Sequence, residues 1–147
     1  MRRLALPCIV ASSLLIVGCG PPALGEELAI DALCKPENND KRVSVAGHFS
    51  AAGLLTMCST MGDKQTCSFK ITKTADAEEP AVTVSFVMGD GENQMAPLPE
   101  EFKREDIKIK ALGGKIVGDR AHIKVTGRAL IDEGSCQILD AERIDAM

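Results

Sequence analysis

The chain has no tryptophan and no tyrosine, and its only aromatic carbocycles are Phe49, Phe69, Phe86 and Phe102. Single-stranded nucleic acid is held by stacking bases on aromatic rings inside a positive groove. This chain is poor in rings and carries a formal net charge of −4, so nucleic acid is not an expected partner and the four phenylalanines are assigned to the core. Catalytic signatures are missing as well. There is no Gly-x-Ser-x-Gly elbow, no His-Glu-x-x-His pair and no glycine-rich phosphate loop, and the chain is read as noncatalytic. The acidic pairs Glu78-Glu79 and Glu100-Glu101 are read as solvated loop charge. Short Cys-x-x-Cys spacing, which structural zinc sites use, does not occur. His48, His122, Met57 and Met61 are scattered among strand-like segments and are read as packing or surface groups. Asp90-Gly91-Glu92-Asn93 lacks the spaced carboxylates of a calcium loop and is read as a turn. No metal and no cofactor is expected.

A membrane-crossing run is absent too, since about 20 apolar residues are needed and the apolar run over residues 4–17 is cut short by Gly18, Gly20, Pro21 and Pro22. That run is headed by Arg2 and Arg3 and ends in Ile16-Val17-Gly18-Cys19. A positive start, a short apolar middle and small residues before a cut are the parts of an export signal. The segment resembles bacterial lipoprotein signal peptides, in which the thiol of the cysteine after the cut receives diacylglycerol. The resemblance implies a signal peptide over residues 1–18, a lipid (diacylglycerol and palmitate) on Cys19, and a tether over residues 19–25. Gly20, in place of an inner-membrane-retaining aspartate, resembles an outer-membrane address facing the periplasm. Two or three acyl chains give stable anchoring where one does not.

With Cys8 removed and Cys19 lipidated, Cys34, Cys58, Cys67 and Cys136 remain. Exported proteins keep disulfides, and four cysteines allow three connectivities. Cys58 with Cys67 is favoured, because residues 59–66 read as a hairpin loop that brings their strands face to face. Cys34 with Cys136 then ties the ends of the domain together.

Residues 26–147 form one domain of ordinary size. Leu28, Ala29, Ala32 and Leu33 fall at helical spacing and predict a short helix over residues 26–33. Beyond Pro36, strands are predicted from alternation over residues 41–50, 54–57, 66–72, 81–87, 121–131 and 136–144. Residues 98–105 predict a helical turn, and Ile107, Ile109 and Ala111 alternate with Lys108 and Lys110. Gly47 and Gly127 interrupt long strands, where glycine marks a bend or bulge. About five principal strands with a short N-terminal helix fit a mainly β, five-stranded OB-fold-like Greek-key barrel. Lys41-Arg42-Val43-Ser44-Val45-Ala46-Gly47, Gly118-Asp119-Arg120-Ala121-His122-Ile123-Lys124-Val125-Thr126-Gly127-Arg128 and Cys136-Gln137-Ile138-Leu139-Asp140-Ala141 resemble bacterial tRNA-anticodon-like OB domains.

Basic residues concentrate between Lys103 and Arg128. Lys108, Lys110, Lys124 and Arg128 fall on the polar side of two alternating strands and are the candidate ligand-binding residues, as one outward basic patch. The expected function is that of a membrane-anchored, noncatalytic binding module of the cell envelope. Its ligand would be a glycan, a peptide or another envelope protein. The alternative is an accessory lipoprotein that docks to a larger envelope complex.

Overall fold

The computed structural model describes residues 20–52 and 57–147. The predicted leader, Cys19 and residues 54–56 lie outside them. Ten strands follow one another: β1 (Glu26–Leu28), β2 (Arg42–Ser50), β3 (Met57–Met61), β4 (Lys64–Thr72), β5 (Ala81–Val87), β6 (Gln94–Met95), β7 (Ile109–Lys110), β8 (Ile116–Val117), β9 (His122–Asp132) and β10 (Ser135–Ala146). One short helix, α1 (Ile30–Leu33), and three 3-10 turns complete the described chain. Among the described residues no helix is long and apolar enough to cross a membrane.

Period-two alternation sets the faces of the long strands, because successive side chains in a strand point to opposite sides. Val82, Val84 and Phe86 of β5 are wholly buried while their neighbours are half-buried. Val43, Val45 and Phe49 of β2, and Ile123, Val125 and Ala129 of β9, face the same core. In β10 the buried residues Ile138, Ala141 and Ile144 fall three apart. The cause is a bulge: Leu139 pairs with Arg128 and Arg143 with Thr126, so three residues of β10 oppose the single Gly127. A Cβ on Gly127 would lie 2.6 Å from Ile138 Cγ2 and 3.0 Å from the Leu139 carbonyl oxygen.

The large sheet is mixed, in the order β1-β2-β9-β10-β5-β4-β3. Its β1–β2 and β5–β10 pairs are parallel and the remaining pairs antiparallel. The end of β4 also pairs with the end of β2, His48 with Thr72 and Ser50 with Lys70. Pairing therefore runs from β2 through β9, β10, β5 and β4 back to β2. The five expected principal strands are these, but β1 and β3 extend the sheet to seven. A second sheet of three short strands, β6-β7-β8, contributes Met95, Ile109 and Val117 to the common core. The core is centred on Phe49, Phe69 and Phe86, whose ring centroids lie 5.3–6.3 Å apart, at the separations favoured for tilted and edge-to-face aromatic pairs.

The helix predicted over residues 26–33 is half strand. Glu26, Glu27 and Leu28 pair in parallel with Val43, Ser44 and Val45, so ladder hydrogen bonds to a distant strand override local helical spacing. Only Ile30–Leu33 is helical, and Asn38 Nδ2 donates to the carbonyls of Ala32 and Leu33 at its end. Residues 98–105 likewise contain no helical turn of the expected extent. A 3-10 turn at Arg104–Asp106 is closed by the Lys103 N–H donating to the Asp106 carboxylate at 2.8 Å.

Both favoured disulfides are present. Cys58 and Cys67 are direct cross-strand partners with Cα atoms 4.1 Å apart, and Cys34–Cys136 joins the end of α1 to the start of β10 at 5.4 Å. The hairpin between the first pair is tighter than predicted. Strand pairing continues to Met61 and Lys64, leaving Gly62-Asp63 as a two-residue turn. Gly62 has φ +61°, the first-position conformation that such turns reserve for glycine.

Residues 20–25 have no regular structure, as expected of a tether, but they are not free. Arg143 Nη1 donates to the Pro22 carbonyl at 2.9 Å and Arg42 Nη2 to the Ala23 carbonyl at 2.8 Å. The Gly25 N–H donates to Ser44 Oγ at 2.9 Å, and that oxygen shares a 2.7 Å hydrogen bond with Thr126 Oγ1. These hydrogen bonds satisfy the buried hydroxyls of Ser44 and Thr126.

Candidate ligand cleft

Where β2 and β4 end together, a cleft of about 430 Å³ opens. Ser50, Lys70 and Thr72 come from the strands, Asp76, Glu78 and Glu79 from the loop after β4, and Arg104, Asp119 and Arg120 from segments outside both. A second hollow of about 440 Å³, lined by Glu105, Lys108 and Gly118, adjoins it at Arg104 and Asp119. The two together make a groove across the end of the sheet.

The turn Gly118-Asp119-Arg120 is fastened to β2 by the backbone. The Arg120 N–H donates to the Phe49 carbonyl at 2.8 Å and the Phe49 N–H to the Ala121 carbonyl at 2.9 Å. Arg120 has φ +64°, left-handed backbone that costs a residue with a Cβ and persists only where the surroundings over-determine it. A third restraint comes from the His48 ring, whose Nδ1 lies 3.2 Å from the Arg120 carbonyl oxygen.

Asp119 organises the cations. Its Oδ1 accepts from the Ala51 N–H at 2.8 Å, while Oδ2 faces Arg104 Nη1 at 3.6 Å and Arg120 Nε at 4.0 Å. Across the cleft, Arg120 Nη1 is 3.5 Å from Asp76 Oδ1, and Lys70 Nζ is 3.6 Å from Glu79 Oε1. All are long, and the two across the cleft are exposed, a class that contributes little to stability. Other arginines differ. Arg143 donates repeatedly to Asp145, and these hydrogen bonds raise its pKa above the ordinary arginine value. Arg128 pairs with Asp40, and Arg42 with Glu142. Among the described residues, the guanidiniums of Arg104 and Arg120 make only ion contacts of 3.5 Å or longer.

The four cations expected to form one patch have four different surroundings. Lys108 lines the second hollow. Lys110 Nζ donates to the Asp90 carbonyl at 3.2 Å. Lys124 Nζ lies 3.1 Å from Glu27 of β1, with its side chain only 17% exposed, and Arg128 pairs with Asp40. Both cations of β9 meet a carboxylate, one brought by β1 and the other by the turn before β2. Glu78 and Glu79, read as solvated loop charge, are exposed in the loop after β4 and also line the cleft. Asp119 and Arg120 fall within the segment Gly118 to Arg128 that resembles OB domains, but the left-handed backbone of Arg120 has no signature in sequence.

No family model matches the chain, and no curated protein or solved structure matches it.

Proposed function

We propose that this chain is a noncatalytic binding module of the bacterial envelope, held to the membrane by lipid on Cys19 at the outer membrane facing the periplasm. Its domain is read as an OB-fold-like Greek-key barrel. Supporting that reading, the pairing of β2, β4, β5, β10 and β9 returns to β2, and the β5–β10 pair is parallel. OB-folds take ligands across the face of their second and third strands and the neighbouring loops. Here the second long strand, β4, supplies Lys70 and Thr72 to the cleft. The observation that carries the binding reading is a pair of arginines lining one cleft whose guanidiniums, among the described residues, have no hydrogen-bonded protein partners.

The test is binding of solubilised cell-wall fragments to the purified, lipidated protein, alongside affinity capture from envelope extract. Saturable binding of fragments, lost in an Arg104→Glu, Arg120→Glu double variant, supports the module. Stoichiometric recovery of one protein with no fragment binding replaces it with the docking accessory, and failure of both overturns the reading.

A further inference from the structure

We propose that the cleft recognises a short peptide by its free C-terminal carboxylate, gripped between Arg104 and Arg120, with the peptide's ammonium end facing Glu78 and Glu79. The inference rests on the binding-module reading and specifies its ligand class.

Charge decides the class. The cleft is lined by the cations Lys70, Arg104 and Arg120 and by the carboxylates Asp76, Glu78, Glu79 and Asp119. A polyanion would meet the carboxylates and a polycation the arginines. A ligand bearing one charge of each sign satisfies both, and a short peptide with free ends is such a molecule. A volume of about 430 Å³ lies in the range of small-molecule sites, roughly 300–1,000 Å³.

Geometry points to the arginines as the carboxylate clamp. A guanidinium presents five donors in a planar fork that matches a carboxylate in bidentate fashion. Asp119, itself fixed by the Ala51 N–H, draws Arg104 and Arg120 toward one point from opposite segments. It leaves their donors open, because its contacts with them are 3.6 and 4.0 Å. Asp119 is thus a positioning residue. The contact between Arg120 and the exposed Asp76 is weak enough for an incoming carboxylate to replace.

Backbone strain supplies an independent observation. The fold holds Arg120 at φ +64° with two backbone hydrogen bonds and a histidine ring. Glycine would occupy that conformation without penalty. The left-handed turn delivers the arginine side chain to the cleft.

The experiment is isothermal titration of the full lipidated protein in detergent with tri-alanine, its C-amidated form, its N-acetylated form, glucuronate and inorganic phosphate. Tri-alanine should bind saturably, about tenfold more tightly than the amide and several-fold more tightly than the acetylated peptide. Arg104→Gln and Arg120→Gln should each weaken it about tenfold, and Lys41→Gln, away from the cleft, should not. Arg120→Gly should raise thermal stability and still lose the peptide, a split that a merely structural arginine would not produce. Equal binding of the amide, or no effect of the two glutamine variants, overturns the inference. Arginine-dependent binding of glucuronate, phosphate or cell-wall fragments without tri-alanine binding also overturns it but leaves the module standing. If fragments fail to bind as well, both readings fall.

Discussion

His48 and His122, the chain's two histidines, stack face to face with ring centroids 4.8 Å apart and planes inclined by 17°. They are direct partners in the β2–β9 register. The free edge of the stack matters for the cleft, because His48 Nδ1 faces the Arg120 carbonyl. A carbonyl only accepts, so this contact requires the proton on Nδ1. Nitrogen-detected NMR of the ring should therefore find a proton on His48 Nδ1. Observation of the Nε2–H form would remove this restraint on Arg120, and in its presence His48→Ala should weaken ligand binding without unfolding the protein.

The two disulfides close loops of very different length, with sequence separations of 102 and 9. In the chain-entropy account a loop of about 100 residues contributes roughly 4.7 kcal/mol, and one of about 10 roughly 2 to 3 kcal/mol. Denaturant unfolding should rank Cys34→Ala/Cys136→Ala well below Cys58→Ala/Cys67→Ala in stability. The reverse order would show that strand pairing of the exposed hairpin, rather than chain entropy, dominates.

A methyl group at Gly47 would lie 2.6 Å from both Ile71 Cγ2 and the Thr72 carbonyl oxygen, and 2.8 Å from Ile30 Cδ1. Backbone cannot step aside there, because the β2–β4 pairing passes through Thr72. Gly47→Ala should cost about 1–3 kcal/mol, the usual range for overpacking, whereas Gly20→Ala, with nothing within 4 Å, should be silent. Equal melting temperatures for the two variants would contradict this account.

For the anchor, Cys19→Ser should abolish palmitate incorporation in growing cells and leave an uncleaved or misplaced precursor. Normal acylation of that variant would refute the lipobox reading of Ile16-Val17-Gly18-Cys19.

Long alternating strands were legible because burial on one face writes a period of two into the chain, as in Val82, Val84 and Phe86. The two cysteine pairs were legible through the hairpin that places Cys67 opposite Cys58. What escaped was non-local. Glu26-Glu27-Leu28 carries no strand pattern, and only the presence of Val43–Val45 beside it makes it one. The phase slip across Ile138, Ala141 and Ile144 reflects a bulge opposite Gly127 that no window of β10 alone contains. The cleft escaped for the same reason. Arg104, Asp119 and Lys70 are far apart in sequence and meet only through folding, while Arg120 owes its direction to a backbone angle unusual for its residue type. Conversely, Lys124 and Arg128 looked free because Glu27 and Asp40, which pair with them, arrive from other segments.

The strap that Arg42 and Arg143 hold sets a limit on reach. Pro22 is fixed to β10 through Arg143, and an extended chain covers at most about 3.6 Å per residue. A lipid on Cys19 would thus stand no more than about 11 Å from the fixed point, little beyond the headgroup zone of a bilayer. So short a leash would make the membrane a floor on which the domain sits with one constant side down. It would hold the arginine-lined opening at a constant distance from that surface.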